Sequence, residues 1–316
     1  MMPVKERYTS NFVRWYDLGT IYAKPRRMIE PEKETDKVFF PESLLAISGH
    51  GMVRALGSTA MKHMLVQRLL TYLEFTARLE QEVVIPVLTN ITCHYFESLE
   101  LPHDMIDDAY KIGVDEAHHA EFSADLRSQV CRATGVTPMP TPRPSFLRRL
   151  DSLLKDKLPA DLQPIGSLFF AIVSETLISA ILSDIPRDGT VVTAVRQMVA
   201  DHAEDEARHN SYFSHLLAKV WPQLDPDVQA IVGPLLPEFI LAFLEPDIEA
   251  LAATLTSVGL GESGIQLVLD ETFPTSETVK RARIAASRTL KYFDRVGVMS
   301  QPETGLAFER HGLWPN

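Results

Sequence analysis

Between residues 61 and 220 the chain is written in long runs of helical period, and what interrupts those runs fixes the class of fold. The breaks are LPHD at 101–104, the proline-rich stretch GVTPMPTPRP at 135–144, and Pro186 followed by RDGT at 187–190. Prolines at that density cannot continue a helix, because each removes a backbone donor and its ring collides with the preceding turn. The spacing predicts helices over about 61–96, 104–134, 163–184 and 190–220, with Asp104 and Thr190 placed to cap the second and fourth. Pro86 falls inside the first helix and predicts a kink there. Alternating strand patterns are almost absent. Two helix pairs, each joined by a short turn and separated by the long connector, define an all-α chain built on a four-helix bundle. Further helical stretches at about 226–258 and 276–296 are expected outside the bundle, with a polar tail after Gly297. Residues 1–60, with prolines at 25, 31 and 41, show no sustained period and read as an irregular, partly helical wrap. The whole chain, 1–316, is read as one domain.

Two pentads raise the functional question: DEAHH at 115–119 and DEARH at 205–209. On a helix, residues three and four apart share a face, so Glu116 adjoins His119 and Glu206 adjoins His209. Either pentad alone would pass for a solvated helix surface. Their faces say otherwise. One reads Ala109, Ile112, Glu116, His119, Ser123, Leu126, Val130; the other reads Val195, Met198, Val199, His202, Glu206, His209, Phe213, Leu216. Acids and imidazoles inside apolar stripes must be neutralised, since an unpaired buried charge costs several kcal/mol.

The remaining two helices repeat the anomaly. Glu175 lies among Leu168, Ala171, Ile172, Ile178 and Leu182. The stretch around it, 165–185, is long enough to span a bilayer, but a mid-span carboxylate would cost roughly 2.5–3.5 kcal/mol or more, so a buried bundle helix fits better. The first helix offers Glu74, Glu80, Glu82 and Glu97. Glu80 is flanked at helical spacing by Leu73, Ala77, Val84, Val87 and Ile91, whereas Glu82 meets the mixed set Phe75, Arg78, Ile85, Thr89 and Asn90, so Glu80 is the inward one.

One Glu from each of two helices and one Glu-x-x-His from each of the other two is the ligand pattern of ferritin-like two-metal carboxylate bundles. Four carboxylates balance two divalent ions. Oxygen and imidazole donors without thiolate suit iron or manganese rather than a structural zinc. Asp115 and Asp205, beside the ligands, are positioned to accept a ligand histidine's second N–H. His202 lies one turn before Glu206 on the same stripe; alone it would be a packed core histidine, but next to two ligands it reads as a seventh. His118 faces away and reads as a rim residue, and His63, His94 and His215 carry no signal.

Composition narrows the partners. A net charge of −11 argues against nucleic acid and against an anionic membrane. The two cysteines, Cys93 and Cys131, form no paired motif and read as buried free thiols of a reducing cytoplasm; no secretory signal opens the sequence.

The stretches LEQEVVIP (79–86), VDEAHH (114–119), VSETLISAIL (173–182) and DHAEDEARH (201–209) resemble the para-aminobenzoate N-oxygenase (AurF) family of di-iron arylamine oxygenases, and LLPEFILAFLEPDIEALAATL (235–255) is similar to its helix after the bundle. The resemblance spans about 60–260. It implies a ferritin-like fold and two irons held by Glu80, Glu116, His119, Glu175, His202, Glu206 and His209, with His202 the extra histidine. It implies O2 as co-substrate, an external electron donor, and oxidation of a primary amine towards hydroxylamine, nitroso or nitro products, in natural-product biosynthesis. The amine is expected to be a small arylamine or an amino-acid-derived substrate, free or bound to a carrier protein, and the protein a homodimer. Arg281, Arg283 and Arg288 could meet a substrate carboxylate but read first as surface arginines. The competing readings are an iron-binding protein of the ferritin or rubrerythrin type, against which the chain length, the absence of CxxC pairs and His202 argue; a radical-subunit or desaturase-like two-metal protein; and a di-iron hydroxylase acting on carbon.

Overall fold

The computed structural model describes residues 8–140 and 143–314. The core helices are α1 (Gly57–Leu79), α2 (Ile85–Thr92), α3 (His103–Thr134), α4 (Ser145–Lys157), α5 (Gln163–Ile181) and α6 (Thr193–Val220). The segment α1–α2 packs along α3, and α5 packs along α6; the pairs meet where α3 touches α6 and where α2 touches α5. That is the expected four-helix bundle. No strand forms among the described residues, only one parallel bridge between Val38 and Val191.

Pro86 does not simply bend the first helix. The five residues Glu80–Val84 form a π-turn joining α1 to α2, with the Ile85 N–H donating to the Glu80 carbonyl. A turn one residue wider tolerates the missing proline donor, and π-turns inside helices tend to sit at functional sites. Here the turn begins on Glu80. The predicted caps are corrected. Pro102 takes the N-cap position of α3 with no side-chain bond, leaving Asp104 in the first turn, where its charge complements the helix dipole. At α6 the cap comes from far away in sequence: the Glu34 carboxylate accepts the Thr193 backbone N–H at 3.1 Å and is held by Lys37 at 2.7 Å. Thr190 instead closes the turn on Asp188.

The 165–185 stretch lies inside the bundle. Leu168, Phe169, Phe170, Ala171, Ile172 and Val173 are all fully enclosed, covered by α6, α4 and a later helix, Leu236–Leu244. Beyond Val220 the chain breaks more often than expected, into α7 (Pro226–Val232), α8 (Leu236–Leu244), α9 (Ile248–Ser257), α10 (Glu262–Thr272), α11 (Thr275–Ala285) and α12 (Ser287–Arg295). The tail after Gly297 is also structured: α13 (Pro302–Arg310) seats Phe308 in the core. Cys93 is exposed and Cys131 half-buried, so neither is the enclosed thiol expected.

Candidate metal centre

Four elements deliver nine ionisable side chains to one enclosed place. The π-turn gives Glu80, α3 gives Asp115, Glu116 and His119, α5 gives Glu175, and α6 gives His202, Asp205, Glu206 and His209; all nine are 0% exposed. Glu82 goes the other way, to a surface network with Arg78 and Arg143. The donor atoms form three overlapping groups whose members lie within 4.8 Å of one another: Glu80, His119, His202 and Glu206; Glu116, His119, Glu206 and His209; and Glu80, Glu116 and Glu175. Each of these groups could hold a metal ion, and the seven expected ligand residues are the seven that appear in them.

The pairwise geometry shows how the imidazoles are aimed. His119 Nδ1 lies 2.8 Å from Glu116 Oε2 and 3.4 Å from Glu206 Oε1. His209 Nδ1 lies 3.0 Å from Glu116 Oε1 and 3.3 Å from Glu206 Oε1. His202 presents Nε2 at 3.1 Å from Glu206 Oε1. The outer nitrogens are fixed crosswise: His119 Nε2 meets Asp205 Oδ2 and His209 Nε2 meets Asp115 Oδ2, each at 3.2 Å. Each pentad's aspartate therefore serves the histidine of the other pentad, and an N–H donated outward turns the Nδ1 lone pair inward.

Electrostatics without an ion settles into pairs. Burial, then repulsion from Glu116 and Glu206, holds the Glu80 carboxyl well above the usual range; Glu175 is raised by burial and by Glu206 and Glu116. For Glu206 burial pushes up, but the His209 charge and hydrogen bonds from His119, His202 and His209 prevail and bring it well below. Burial opposes charging His119 and His209, yet their carboxylate partners raise both well above normal. Burial and the neighbouring His119 lower His202. Protons thus stand in for cations.

No periodicity in the sequence announces what covers this cluster. The irregular wrap crosses it as a strap. The Trp15 indole N–H donates to both Asp115 oxygens at 2.9 Å. Thr20 donates to Asp205 through its backbone N–H at 3.3 Å and through its hydroxyl, and Arg208 closes on the same carboxylate. The Phe12 ring stacks on His209 with centroids 6.2 Å apart, and Phe122 lies 5.3 Å from His119 and 5.7 Å from His202. His118 is half-buried at the rim. Arg281, Arg283 and Arg288 are exposed, and Arg288 bonds Tyr292.

The fold and site define a helical bundle with a buried glutamate–histidine centre able to bind metal. The chain belongs to the p-aminobenzoate N-oxygenase AurF family, whose model matches residues 27–297. It is 28% identical over 149 residues to a 4-aminobenzoate N-oxygenase from Streptomyces thioluteus, an alignment covering 46% of this chain and 44% of that relative. The chain thus spans under half the length of that relative in the match, and it carries a core of buried glutamates and histidines that could hold metal.

Proposed function

We propose that the protein is a di-iron N-oxygenase that uses O2 and two external electrons per step to oxidise a small primary amine, first to its hydroxylamine. The observation that carries this reading is the state of the donor atoms. Both oxygens of Glu80 and of Glu175 and one of Glu206 are buried without a hydrogen-bond partner, and Glu116 Oε1 and His209 Nδ1 face each other at 3.0 Å short of a well-aligned bond. Buried polar atoms are rarely left so, and a cluster of them is what cations satisfy. Seven oxygen and nitrogen donors with no sulfur fit two irons.

Glu80, Glu116, His119, Glu175, His202, Glu206 and His209 would hold the ions. Iron bound there supplies the redox capacity and Lewis acidity that activate O2 towards nitrogen. The chain does the rest. Asp115 and Asp205 keep His119 and His209 in one tautomer and orientation, and Trp15 and Thr20 hold those aspartates in turn. Phe12 and Phe122 keep bulk water from the imidazoles.

The test is anaerobic ferrous loading followed by one aerobic turnover against a panel of arylamines, alkylamines and carrier-bound amino acids. We expect about two irons per chain, a higher melting temperature on loading, and hydroxylamine product. Iron oxidised and retained with every amine unchanged would favour the iron-storage reading. A product hydroxylated on carbon would overturn the nitrogen assignment.

A further inference from the structure

Arg68, Tyr72 and Thr76 succeed one another at four-residue spacing along a ridge of α1, continued by Glu80 at the start of the π-turn, that winds slowly round the helix from the surface to the buried cluster. Tyr72 and Thr76, 4% and 1% exposed, face each other without a well-formed hydrogen bond. At the outer end Arg68 stands between cavities of about 120 and 270 Å³ and lines both. The larger is walled by Tyr72, Phe75, Phe146 and Phe243, and Phe75 packs on Phe146 and Phe243 with ring centroids 4.7 and 5.6 Å apart.

The charges around these cavities are unbalanced in one place. Three acids line the larger one: Glu74, Glu245 and Asp247. Glu74 is engaged by Arg78 and Arg127, and Glu245 by Arg149. Asp247 spends one oxygen capping α9 through the Ala250 N–H at 3.0 Å, and the other on the Ser145 N–H at 3.1 Å. Among the described residues Arg68 has no ion pair or hydrogen bond of its own, only the face of Phe40 at 5.4 Å. Asp247 acts on Arg68 across the cavity but does not pair with it, so the fork of the half-buried guanidinium keeps its donors for a planar carboxylate at the mouth of an aromatic cavity.

We propose that this cavity is the far end of the amine-binding site and that Arg68 binds a carboxylate carried by the substrate well away from its nitrogen. The inference rests on the N-oxygenase reading above. It also sets a length. From residue 68 to residue 80 the helix rises about 18 Å at 1.5 Å per residue. A single benzene ring with amine and carboxylate at opposite ends is well under half as long. The substrate class is therefore an elongated ω-amino carboxylate with an apolar middle, passing Tyr72 and Thr76, whose free hydroxyls are available to its polar atoms.

The probes are 4-aminobenzoate, the longer ω-(4-aminophenyl)alkanoates, and the neutral primary amide of each, bound anaerobically to iron-loaded protein by calorimetry. We expect the longer carboxylates to bind at least tenfold more tightly than 4-aminobenzoate and than their own amides. Arg68→Met should erase the preference for carboxylate over amide, and Arg68→Lys should keep part of it. Equal binding of carboxylate and amide by the unaltered protein overturns the proposal without needing any variant to fold, as does an undiminished preference in Arg68→Met. Arg68-dependent binding with no N-oxygenated product would uphold this site and overturn the proposed function; product from amines that ignore Arg68 would do the reverse.

Discussion

Replacing Trp15 with phenylalanine removes one N–H from beneath the candidate metal centre and little else. The indole nitrogen lies 2.9 Å from both oxygens of Asp115, a fully enclosed carboxylate whose other partner is His209 Nε2 at 3.2 Å. Phenylalanine keeps an aromatic ring against Tyr16 and Tyr22, now 5.0 and 5.1 Å away. A hydrogen bond to a charged group contributes about 1.5–3 kcal/mol net. Asp115 can recover part of that by drawing more tightly on His209, at the cost of turning Nδ1 away from the centre. If about 2 kcal/mol of the loss is expressed in metal binding, affinity falls roughly 30-fold, within the 10–100-fold range usual for groups that orient a ligand. The assay is competition for ferrous or cobaltous ion against a chromophoric chelator, with the melting temperature of the metal-free protein measured alongside. Thr20→Val, which removes the hydroxyl donor to Asp205, should behave alike through His119. A Trp15→Phe protein that melts lower yet binds metal within twofold of normal would show the strap to be packing alone.

Glu80→Gln should lower the iron content while Glu82→Gln leaves it unchanged, with the latter costing less than about 1 kcal/mol because its partners Arg78 and Arg143 are exposed; equal metal loss in both would misplace the π-turn ligand. His202→Ala leaves six donors, enough to retain much of the iron, but should lose most hydroxylamine product; near-normal yield in a single turnover would make His202 a core residue only. Burial pushes the Glu34 carboxyl up, but Lys37 and Thr193 outweigh it and hold it below the usual range, so its stabilisation is present above the unfolded-state value and is lost as pH falls through the folded one. Glu34→Gln should therefore cost about 1 kcal/mol as a lost helix cap at neutral pH and progressively less in acid, read as convergence of the two melting curves below the ordinary carboxylate range.

The bundle was legible because its period is strong and its breaks are proline. The buried cluster of glutamates and histidines was legible because a charge inside an apolar stripe is an anomaly that periodicity exposes. Glu80 over Glu82 followed from neighbours alone, and the structure buries one and ties the other to surface arginines. What the sequence hid is contact between distant segments. No local pattern pairs Glu34 with Thr193, so Thr190 looked like the nearer cap. Helices α4 and α10 lie outside the predicted stretches although α4 repeats its apolar residues at helical spacing, and the C-terminal stretches read as long because Pro234 and Pro246 are embedded in apolar runs of helical period. The strap was invisible for a further reason: Trp15 and Thr20 lie in short turns with no period, and both precede residue 27, where the family match begins.

The crosswise aspartates explain why the same pentad is written twice. A histidine at the fourth position after its own aspartate cannot also turn its outer nitrogen back to that aspartate while its inner nitrogen faces the glutamate between them. The partner has to come from the facing helix. Two antiparallel-type helices carrying the same Asp-Glu-x-x-His order supply one another, so Asp205 reaches His119 and Asp115 reaches His209 at the same 3.2 Å. Neither helix can shift along the other without breaking both bonds, and the register of α3 on α6 is thereby tied to the orientation of the two histidines. The strap then acts on that register from outside, since Trp15 holds one aspartate and Thr20 the other. Folding of the N-terminal wrap and the aim of the two imidazoles are one structural event, which is why loss of a single indole N–H is expected to be felt at the metal and not at the surface.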